Sequence, residues 1–316
     1  MSVKDLRPPY QSDWCPGCGD FGILNALYQG VAALDIAPEK LAVFGGIGCS
    51  GKTQYYVNTY GVHTLHGRVL PFATGAKLAN PELTVIAVGG DGDGMAIGAG
   101  HFVNAGRRNV DLTYILFNNE VYGLTKGQAS PTLPLGLQTK SLPEPNIQGQ
   151  LNAMTLALTR GFTWIGRGYS YNVHQLVSLI KAAIEHPGLA YVEVLQPCPT
   201  YNNLHDKVYY AGGGLESGRK RLYDVADEGY DPRIPADADE ATLMAHLCRF
   251  VEKAHEWGDS IPTGVFLENR EITTFAERIT RLTPTYKDRP PAKRVLADSQ
   301  GRTVVDLRAH FDEIMV

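Results

Sequence analysis

Short apolar runs alternate along the chain with longer segments whose apolar residues recur at helical spacing. A continuous apolar run is typical of a strand that is buried on both faces, whereas a period near 3.6 residues indicates a helix with one buried face. Their alternation predicts an α/β fold in which helices cover a mostly parallel sheet. The predicted strands cover residues 41–44, 83–88, 112–117, 162–165 and 190–195, and the predicted helices cover residues 21–34, 95–105, 151–160 and 173–186.

The pattern changes after Tyr201, where a glycine-rich and then polar segment replaces the strand and helix alternation. We therefore divide the chain into a core domain, residues 1–210, and a C-terminal α/irregular extension, residues 211–316. In the extension we predict a helix over residues 241–257, capped by Asp237 or Asp239. Residues 276–316 are interpreted as an arm packed on a partner subunit, with a solvated tail as the alternative.

The composition excludes several classes of protein. The 316 residues have a formal net charge of −4 and no lysine- or arginine-rich run, which argues against a nucleic-acid partner. No apolar stretch reaches 18 residues and the first residues are polar, so we expect a soluble, cytoplasmic protein without a membrane anchor. Five cysteines are too few for a disulfide scaffold of this size and are expected to bind metal or to pack in the core.

A turn with the sequence Gly-Asp-Gly-Asp-Gly, residues 90–94, links one predicted strand to the helix that follows it. The free N–H groups of a helix N-terminus suit a phosphate. Asp91 lies within this turn, and a carboxylate beside a diphosphate is tolerable when a Mg²⁺ ion lies between them. Asn119 ends the next apolar run and offers a neutral oxygen to the same ion, since carboxyl ends of parallel strands share one edge.

Four cysteines lie at turns or strand ends. A thiol pair in a Cys-Pro-Gly-Cys turn can hold one ion, and a Cys₄ set suits zinc or a [4Fe-4S] cluster equally well. A redox dithiol is a less favoured interpretation, because the pair follows a polar arm rather than a strand. Asp20 is expected to cap the helix that follows the pair. The fifth cysteine, Cys248, is interpreted as a core residue of the predicted C-terminal helix. The four candidate ligands are Cys15, Cys18, Cys49 and Cys198.

The glycine-rich segment at residues 46–53 matches the pattern G-x-x-x-x-G-K-[ST] of nucleotide-binding loops. We do not favour that interpretation, because Cys49 and Ser50 occupy the centre of the loop and residues 90–94 specify a phosphate site better. The match nevertheless leaves one alternative open, a non-enzymatic protein that holds an iron–sulfur cluster or zinc and binds a nucleotide at this loop.

Seven glycine-, cysteine- and asparagine-containing motifs follow one another along residues 14–201, and they are WCPGCG (14–19), GIGCSGK (46–52), GVHTLHGR (61–68), ATGAKLANP (73–81), GGDGDGMAIG (89–98), NNEVYGLTKGQASPT (118–132) and QPCPTYN (196–202). Gly-Asp-Gly, 25 intervening residues and Asn-Asn resemble the thiamine-diphosphate motif. The resemblance implies the thiamine-diphosphate-binding fold for the core domain. Together, in this order, the seven motifs resemble the β subunit of 2-oxoacid:ferredoxin oxidoreductases.

The resemblance also implies roles for individual residues. Cys15, Cys18, Cys49 and Cys198 would hold a [4Fe-4S] cluster. Asp91, the Asn119 side chain and the Val121 carbonyl would bind Mg²⁺. His66 would be a cofactor contact, while His63 is interpreted as structural. The full set of implied thiamine-diphosphate contacts is Ile47, Gly48, Cys49, Ser50, His66, Gly92, Asp93, Gly123 and Leu124.

The implied reaction is the coenzyme A-dependent oxidative decarboxylation of a 2-oxoacid, with electrons passing through the cluster to ferredoxin. The activating glutamate of such enzymes would come from a separate α subunit, so no catalytic residue is assigned here and the chain alone is expected to be inactive. Lys52 and Lys126 each lie beside an implied cofactor contact and could pair with the distal carboxylate of 2-oxoglutarate, which favours that substrate over pyruvate. The alternative is a non-oxidative thiamine-diphosphate decarboxylase with a structural Cys₄ zinc site.

Overall fold

Four neighbouring parallel strands form the centre of the molecule, and their side chains are buried on both faces. The structure is a computed structural model that describes residues 2–216 and 220–304. The strands of this part of the chain are β1 (Leu41–Gly45), β2 (Tyr60–His63), β3 (Thr84–Gly90), β4 (Leu112–Asn118), β5 (Val121–Tyr122), β6 (Gln128–Ala129), β7 (Trp164–Tyr169), β8 (Leu189–Leu195), β9 (Leu222–Asp224) and β10 (Ile261–Glu268).

Helices lie on both sides of the sheet. The helices of the described residues are α1 (Val3–Leu6), α2 (Asp20–Ala33), α3 (Val69–Ala79), α4 (Ala99–Arg108), α5 (Ala153–Arg160), α6 (Val173–Glu185), α7 (Lys207–Tyr210), α8 (Glu240–His255) and α9 (Phe275–Leu282). In residues 2–216 and 220–304, no helix is both long enough and apolar enough to cross a membrane.

Alternate residues of one strand pack into different cores. In β4, Tyr114 and Leu116 face the layer of α3, α4, α5 and α8, whereas Ile115 and Phe117 face the layer of α2 and α6. A strand that is covered on both faces gains by being apolar at every position, which explains the continuous runs of the sequence. The predicted α/β architecture with a mostly parallel, helix-covered sheet is confirmed.

The order of strands in the sheet decides where the functional loops meet. The eight-stranded sheet has the order β2-β1-β3-β4-β8-β7-β10-β9, and β1, β3, β4 and β8 are parallel neighbours. The loops after Gly45, Gly90, Asn118 and Leu195 therefore leave the same edge of the sheet. A separate antiparallel pair, β5 and β6, follows β4 directly.

The C-terminal segment continues this sheet instead of forming only helices and irregular structure. Strand β10 pairs antiparallel with β7, with Gly264 opposite Arg167, and β9 pairs with the other side of β10. The short β9 and the proline in β10 weaken the strand signal in the sequence. Asp239 caps α8, as one of the two predicted alternatives, by accepting a hydrogen bond from the Thr242 amide.

Several predicted boundaries are wrong. Helix α2 begins at Asp20 itself, and Gly19 precedes it without a side-chain cap, so Asp20 is not the N-cap. The predicted helix over residues 95–105 is instead a π-helical turn, Asp93–Ile97, which begins within the glycine turn, followed by α4 from Ala99. The predicted strand at residues 162–165 runs from Trp164 to Tyr169 because its pairing with β8 decides its limits.

Candidate functional site

A cavity of about 380 Å³ opens at the carboxyl edge of the sheet, between the loops that follow β1, β3 and β4. It brings together all nine implied cofactor contacts and the three implied magnesium ligands, Asp91, Asn119 and Val121. Gly90, Tyr122 and Thr125 also line it; they belong to the quoted motifs but were not among the implied cofactor contacts. The implied contacts that line it are Ile47, Gly48, Cys49, Ser50, His66, Gly92, Asp93, Gly123 and Leu124.

Asp93 joins two loops of this cavity. Its Oδ1 accepts hydrogen bonds from the amides of Ile47 at 3.0 Å and Gly67 at 2.8 Å, and it lies 2.9 Å from His66 Nδ1. Its Oδ2 is buried and has no partner among the described residues. A Cβ atom at Gly46 would lie 2.1 Å from Oδ2, so this carboxylate requires glycine there. Asp93 therefore sets the shape of the cavity wall.

Asp91 is buried, and its Oδ2 is held by three donors. The Glu120 amide donates at 2.9 Å, and the hydroxyls of Ser130 and Thr132 each lie 2.5 Å away. Burial raises the pKa of Asp91 to about 6, against the opposing effect of the two hydroxyls. Ser130 and Thr132 belong to the quoted motif 118–132, but their role depends on a loop returning to the sheet edge and could not be read from spacing.

A chain of hydrogen bonds continues from Thr132 into the sheet. Thr132 Oγ1 also lies 2.9 Å from Asn118 Oδ1, and the Asn118 amide donates to Glu193 Oε1 at 2.9 Å. Glu193 forms a buried ion pair with Arg167, with Nε 2.6 Å from Oε2. Losing one partner of a buried ion pair is strongly destabilising, so we expect the pair of Arg167 and Glu193 to stay formed. The pair therefore fixes the position of Asn118 and, through Asn118, that of Thr132.

The donor set at the cavity fits a hard divalent cation beside a phosphate. Asp91 supplies a carboxylate, and Asn119 supplies an amide oxygen that accepts the Val121 N–H at 3.1 Å while its Nδ2 donates to Gln196 at 2.7 Å. Oxygen donors of this kind suit Mg²⁺. A Cβ at Gly92 would lie 2.4 Å from the ring of Tyr122, so the backbone lies close to the cavity wall at this point.

The four cysteines that were proposed as ligands line a second cavity, of about 190 Å³. Trp14 Nε1 donates to the carbonyl of Cys49 at 2.8 Å, and Gln196 Nε2 lies 3.3 Å from Cys18 Sγ, so the three chain segments are held together. No group of three or more His, Cys, Asp or Glu side chains within residues 2–216 and 220–304 is arranged to hold a metal ion as it stands. The thiols that share the cavity are those of Cys15, Cys18, Cys49 and Cys198.

Burial raises the pKa of three of these thiols, those of Cys18, Cys49 and Cys198, and makes them reluctant to ionise by themselves. Burial, and then the nearby Asp20 carboxyl, raise the pKa of Cys18 well above its usual range, and burial raises the pKa of Cys49 to about 12. Thiolates in such a place need a metal or cluster charge to stabilise them. The donor chemistry of the cavity therefore fits a thiolate-bound group. Cys248, by contrast, is exposed on α8, so its interpretation as a core residue is wrong.

The two cavities meet at a shared wall. Cys49, Asn119, Gly123 and Leu124 line both of them. Asp20, which was expected to cap a helix, lies in the wall of the thiol cavity, where burial raises its pKa to about 7. The arrangement places the cavity lined by the implied cofactor contacts directly beside the cavity lined by the four thiols.

The two lysines proposed for substrate binding have different surroundings. Lys52 lines the thiol cavity, and its ammonium forms a 2.9 Å ion pair with Asp13. Lys126 is exposed, has a positive φ of 81° and follows the wall residues Gly123 and Thr125 without lining either cavity itself. His63 lies outside both cavities, with its Nδ1 2.5 Å from the Tyr55 hydroxyl.

Known proteins resemble the chain over almost its whole length. Residues 46–194 match the family model described as thiamine pyrophosphate enzyme, C-terminal TPP binding domain. Residues 198–284 match the family model for the C-terminal part of the pyruvate ferredoxin oxidoreductase beta chain.

The relatives carry consistent names. The chain is 50% identical over 301 residues to the 2-oxoacid:ferredoxin oxidoreductase subunit beta of Saccharolobus solfataricus, covering 94% of each chain. It is 44% identical over 308 residues to the 2-oxoglutarate oxidoreductase subunit KorB of Mycobacterium tuberculosis, covering 93% of this chain and 82% of that one.

A solved structure is also similar to this chain. The 2-oxoglutarate:ferredoxin oxidoreductase from Magnetococcus marinus, with 2-oxoglutarate, coenzyme A and succinyl-CoA bound, superimposes with a TM-score of 0.78 at 33% identity, covering 100% of this chain and 97% of that one. The chain belongs to the β-subunit family of the 2-oxoacid:ferredoxin oxidoreductases.

Proposed function

We propose that the chain is the thiamine-diphosphate and iron–sulfur subunit of an enzyme that converts a 2-oxoacid and coenzyme A into an acyl-CoA and carbon dioxide, passing two electrons to ferredoxin. The observation that carries the proposal is the shared wall of the two cavities. Because Cys49 lines both, electrons released in the cofactor cavity would need no intermediate carrier to reach a cluster that the thiols would hold.

The chain's own residues prepare the cofactor cavity. Asp91 and Asn119, with the Val121 carbonyl, would hold Mg²⁺ against a diphosphate that lies along Gly92 and Asp93. Thiamine diphosphate would supply a nucleophilic carbon and an electron sink for decarboxylation. The buried hydroxyls of Ser130 and Thr132 keep one oxygen of Asp91 occupied, which orients the carboxylate as a whole.

The cysteines would hold a [4Fe-4S] cluster. The thiol cavity provides four sulfur ligands from three chain segments, as a cubane cluster requires. Pro16 and Gly17 form the turn between Cys15 and Cys18, where Gly17 has a φ of 79°. The alternative is that the thiols bind zinc and that decarboxylation is non-oxidative, and the metal content of the protein distinguishes the two.

A separate α subunit would complete the active site. The exposed apolar side chains of Leu65 and Ile97 lie around the His66–Gly67 loop at the cofactor cavity, and Phe72 is also exposed on the adjacent α3. Apolar surface of this kind is typical of an interface between subunits. Since no glutamate of this chain is assigned to activate the cofactor, the chain alone should not turn over. We place the assembled enzyme in the cytoplasm.

For the substrate we favour 2-oxoglutarate over pyruvate. Two relatives carry the names 2-oxoglutarate oxidoreductase subunit and 2-oxoglutarate synthase subunit, and the similar Magnetococcus enzyme was solved with 2-oxoglutarate bound. Of the two candidate lysines, Lys52 is engaged by Asp13. Lys126 has no carboxylate partner in residues 2–216 and 220–304, and is the stronger candidate for contact with the distal carboxylate.

The first experiment measures iron, acid-labile sulfide and zinc in protein purified anaerobically with its α subunit. We expect about four irons and four sulfides per β chain, as one [4Fe-4S] cluster requires, lost in Cys198→Ser and retained in Cys248→Ser, because Cys248 is exposed on α8. Coenzyme A-dependent reduction of a one-electron acceptor by 2-oxoglutarate should follow. Zinc without sulfide would remove the ferredoxin step and favour the decarboxylase.

A further inference from the structure

The thiol cavity has one side that faces the cofactor and another that faces solvent. Cys49 lines the cofactor cavity, and Cys18 and Cys198 are buried. Cys15 is exposed, as are Pro16 and Gly17 of the turn that follows it. An external electron acceptor therefore approaches the thiols most closely over the 15–17 turn.

Lys207 is connected to this turn through the aromatic ring of Tyr171. Its Nζ lies 5.0 Å from the centre of the Tyr171 ring, and the Tyr171 hydroxyl donates a 2.5 Å hydrogen bond to the Gly17 carbonyl. The ring contact restrains a long, exposed side chain, as cation–π contacts do. The ammonium of Lys207 is thereby presented beside the exposed turn.

Lys140 is held by hydrogen bonds next to Cys198, on another side of the cavity. Its Nζ donates to the Pro199 carbonyl at 2.9 Å, and its backbone N–H donates to Asn203 Oδ1 at 2.6 Å. Pro199 follows Cys198 directly and lines the thiol cavity. Two exposed ammonium groups thus stand on the rim of the same four-thiol site, although they come from distant parts of the sequence.

The carboxylates nearest to the rim are engaged by groups other than these two lysines. Lys52 also lines the cavity, but its charge is opposed by Asp13 at 2.9 Å. Asp206 precedes Lys207 and accepts the Tyr209 amide as a helix cap. In the part of the chain that the structure describes, neither Lys140 nor Lys207 forms an ion pair with a carboxylate. The chain as a whole has a formal charge of −4, and two lysines without ion-pair partners at one rim contrast with that net charge.

We propose that Lys140, Lys207 and the exposed 15–17 turn form the docking surface for an acidic one-electron carrier protein of the ferredoxin class. The proposal rests on the proposed function. Each docking would pass one electron from a reduced cluster held by the thiols to one oxidised carrier, and no bond or proton would be transferred. Oxidation of one 2-oxoacid with coenzyme A releases carbon dioxide, one proton and two electrons, so two carriers are reduced in turn.

We expect the two lysines of the rim to act mainly on the rate at which the carrier protein associates with the enzyme. Opposite charges on two surfaces raise association rates and make them dependent on ionic strength. A small artificial acceptor has no acidic face to be recognised, so its reduction should be insensitive to the lysines. This difference between acceptors separates docking from the chemistry at the cofactor.

The test compares the αβ holoenzyme with its Lys140→Glu/Lys207→Glu variant. With a ferredoxin as acceptor, KM should rise about tenfold or more and lose most of its salt dependence, while the rate with methyl viologen stays within about twofold. Binding of oxidised ferredoxin to the resting enzyme, measured by calorimetry without turnover, should weaken by a similar factor. The Lys140→Arg/Lys207→Arg variant should behave like the parent enzyme.

Lys181→Glu is the matched control, because Lys181 lies on α6 toward the opposite edge of the sheet. An unchanged ferredoxin KM and affinity in the double glutamate variant would overturn the docking proposal, as would an equal loss with both acceptors. Failure of the parent enzyme to reduce either acceptor would instead overturn the proposed function.

Discussion

Thr132 Oγ1 lies 2.5 Å from Asp91 Oδ2, although the two residues are 41 positions apart in the chain. Both are buried, and Thr132 also lies within 2.9 Å of Asn118 Oδ1. A hydroxyl has one proton to donate, so these two acceptors compete for it. The metal-binding carboxylate that we propose is therefore oriented by a residue that does not line either cavity.

Replacing Thr132 by valine should weaken magnesium-dependent binding of thiamine diphosphate about tenfold or more. The change keeps the side-chain volume but removes a hydrogen bond to a buried carboxylate, and such bonds contribute about 1.5–3 kcal/mol. Calorimetric titration of the αβ complex with the cofactor at fixed Mg²⁺ measures the affinity. Thr159→Val is the control, since that hydroxyl bonds only its own helix on an exposed face; equal effects of both variants would contradict the assigned role of Thr132.

Gly46→Ala should weaken cofactor binding while leaving the sheet folded. The new methyl group would lie 2.1 Å from Asp93 Oδ2 and would push the carboxylate away from the amides of Ile47 and Gly67. The expected loss of affinity for thiamine diphosphate is at least about tenfold, since a charged acceptor loses its donors. Circular dichroism checks the fold, and titration measures the affinity.

Gly75→Ala provides the matched control for that variant. Gly75 lies inside α3, and no atom lies within 4 Å of the position that a Cβ would take there, so alanine meets no neighbour. Alanine in a helix interior is more stable than glycine by about 0.5–1 kcal/mol. We expect unchanged cofactor affinity and a slightly higher melting temperature. Loss of cofactor affinity in this control would show that the effect at Gly46 is not specific.

Lys126→Ala should raise KM for 2-oxoglutarate by about tenfold and leave KM for pyruvate within about twofold. The lysine follows the cavity-wall residues on a backbone with φ of 81°, and pyruvate lacks the distal carboxylate that an ammonium would bind. Steady-state kinetics with both acids measures the ratio. Lys52→Ala is the comparison, because Asp13 already engages that ammonium; equal changes for both acids would refute the assignment of Lys126.

His186 should make the protein sensitive to mild acid. It is buried beside Thr163, and burial lowers the pKa of His186 to about 4, whereas the unfolded chain protonates near 6.5. Between those values the unfolded state binds more protons, so stability falls as pH falls from about 7 to about 4. At pH 5 the loss from this group is roughly 2 kcal/mol.

Urea unfolding at pH 7.5 and pH 5 measures this contribution. His186→Gln keeps a hydrogen-bonding side chain but cannot titrate, so its stability should differ less between the two pH values by roughly 2 kcal/mol. The exposed His174→Gln is the control. An identical pH dependence of the parent and the His186 variant would contradict the prediction.

Much of the core could be predicted, because the continuous apolar runs that indicate strands are the same residues that become buried when helices cover both faces of the sheet. Apolar runs such as residues 112–117 are needed by a strand covered on both faces, and β4 is such a strand. Strand β10 was missed because its signal is weakened by Pro262 and its limits depend on pairing with β7. Cys248 was misplaced because helical spacing does not reveal which face of α8 is covered.

The sequence by itself determined the family, the sheet covered on both faces, the thiamine-diphosphate motif and the four candidate cysteine ligands. All of these depend on residue type and on local spacing. The tertiary structure decided which loops meet at one sheet edge, that Cys49 lies between both cavities, and that Thr132 supports Asp91. It also placed Lys140 and Lys207 on one rim. Those relationships join residues far apart in the chain, and they follow from strand order and loop return, which no local pattern specifies.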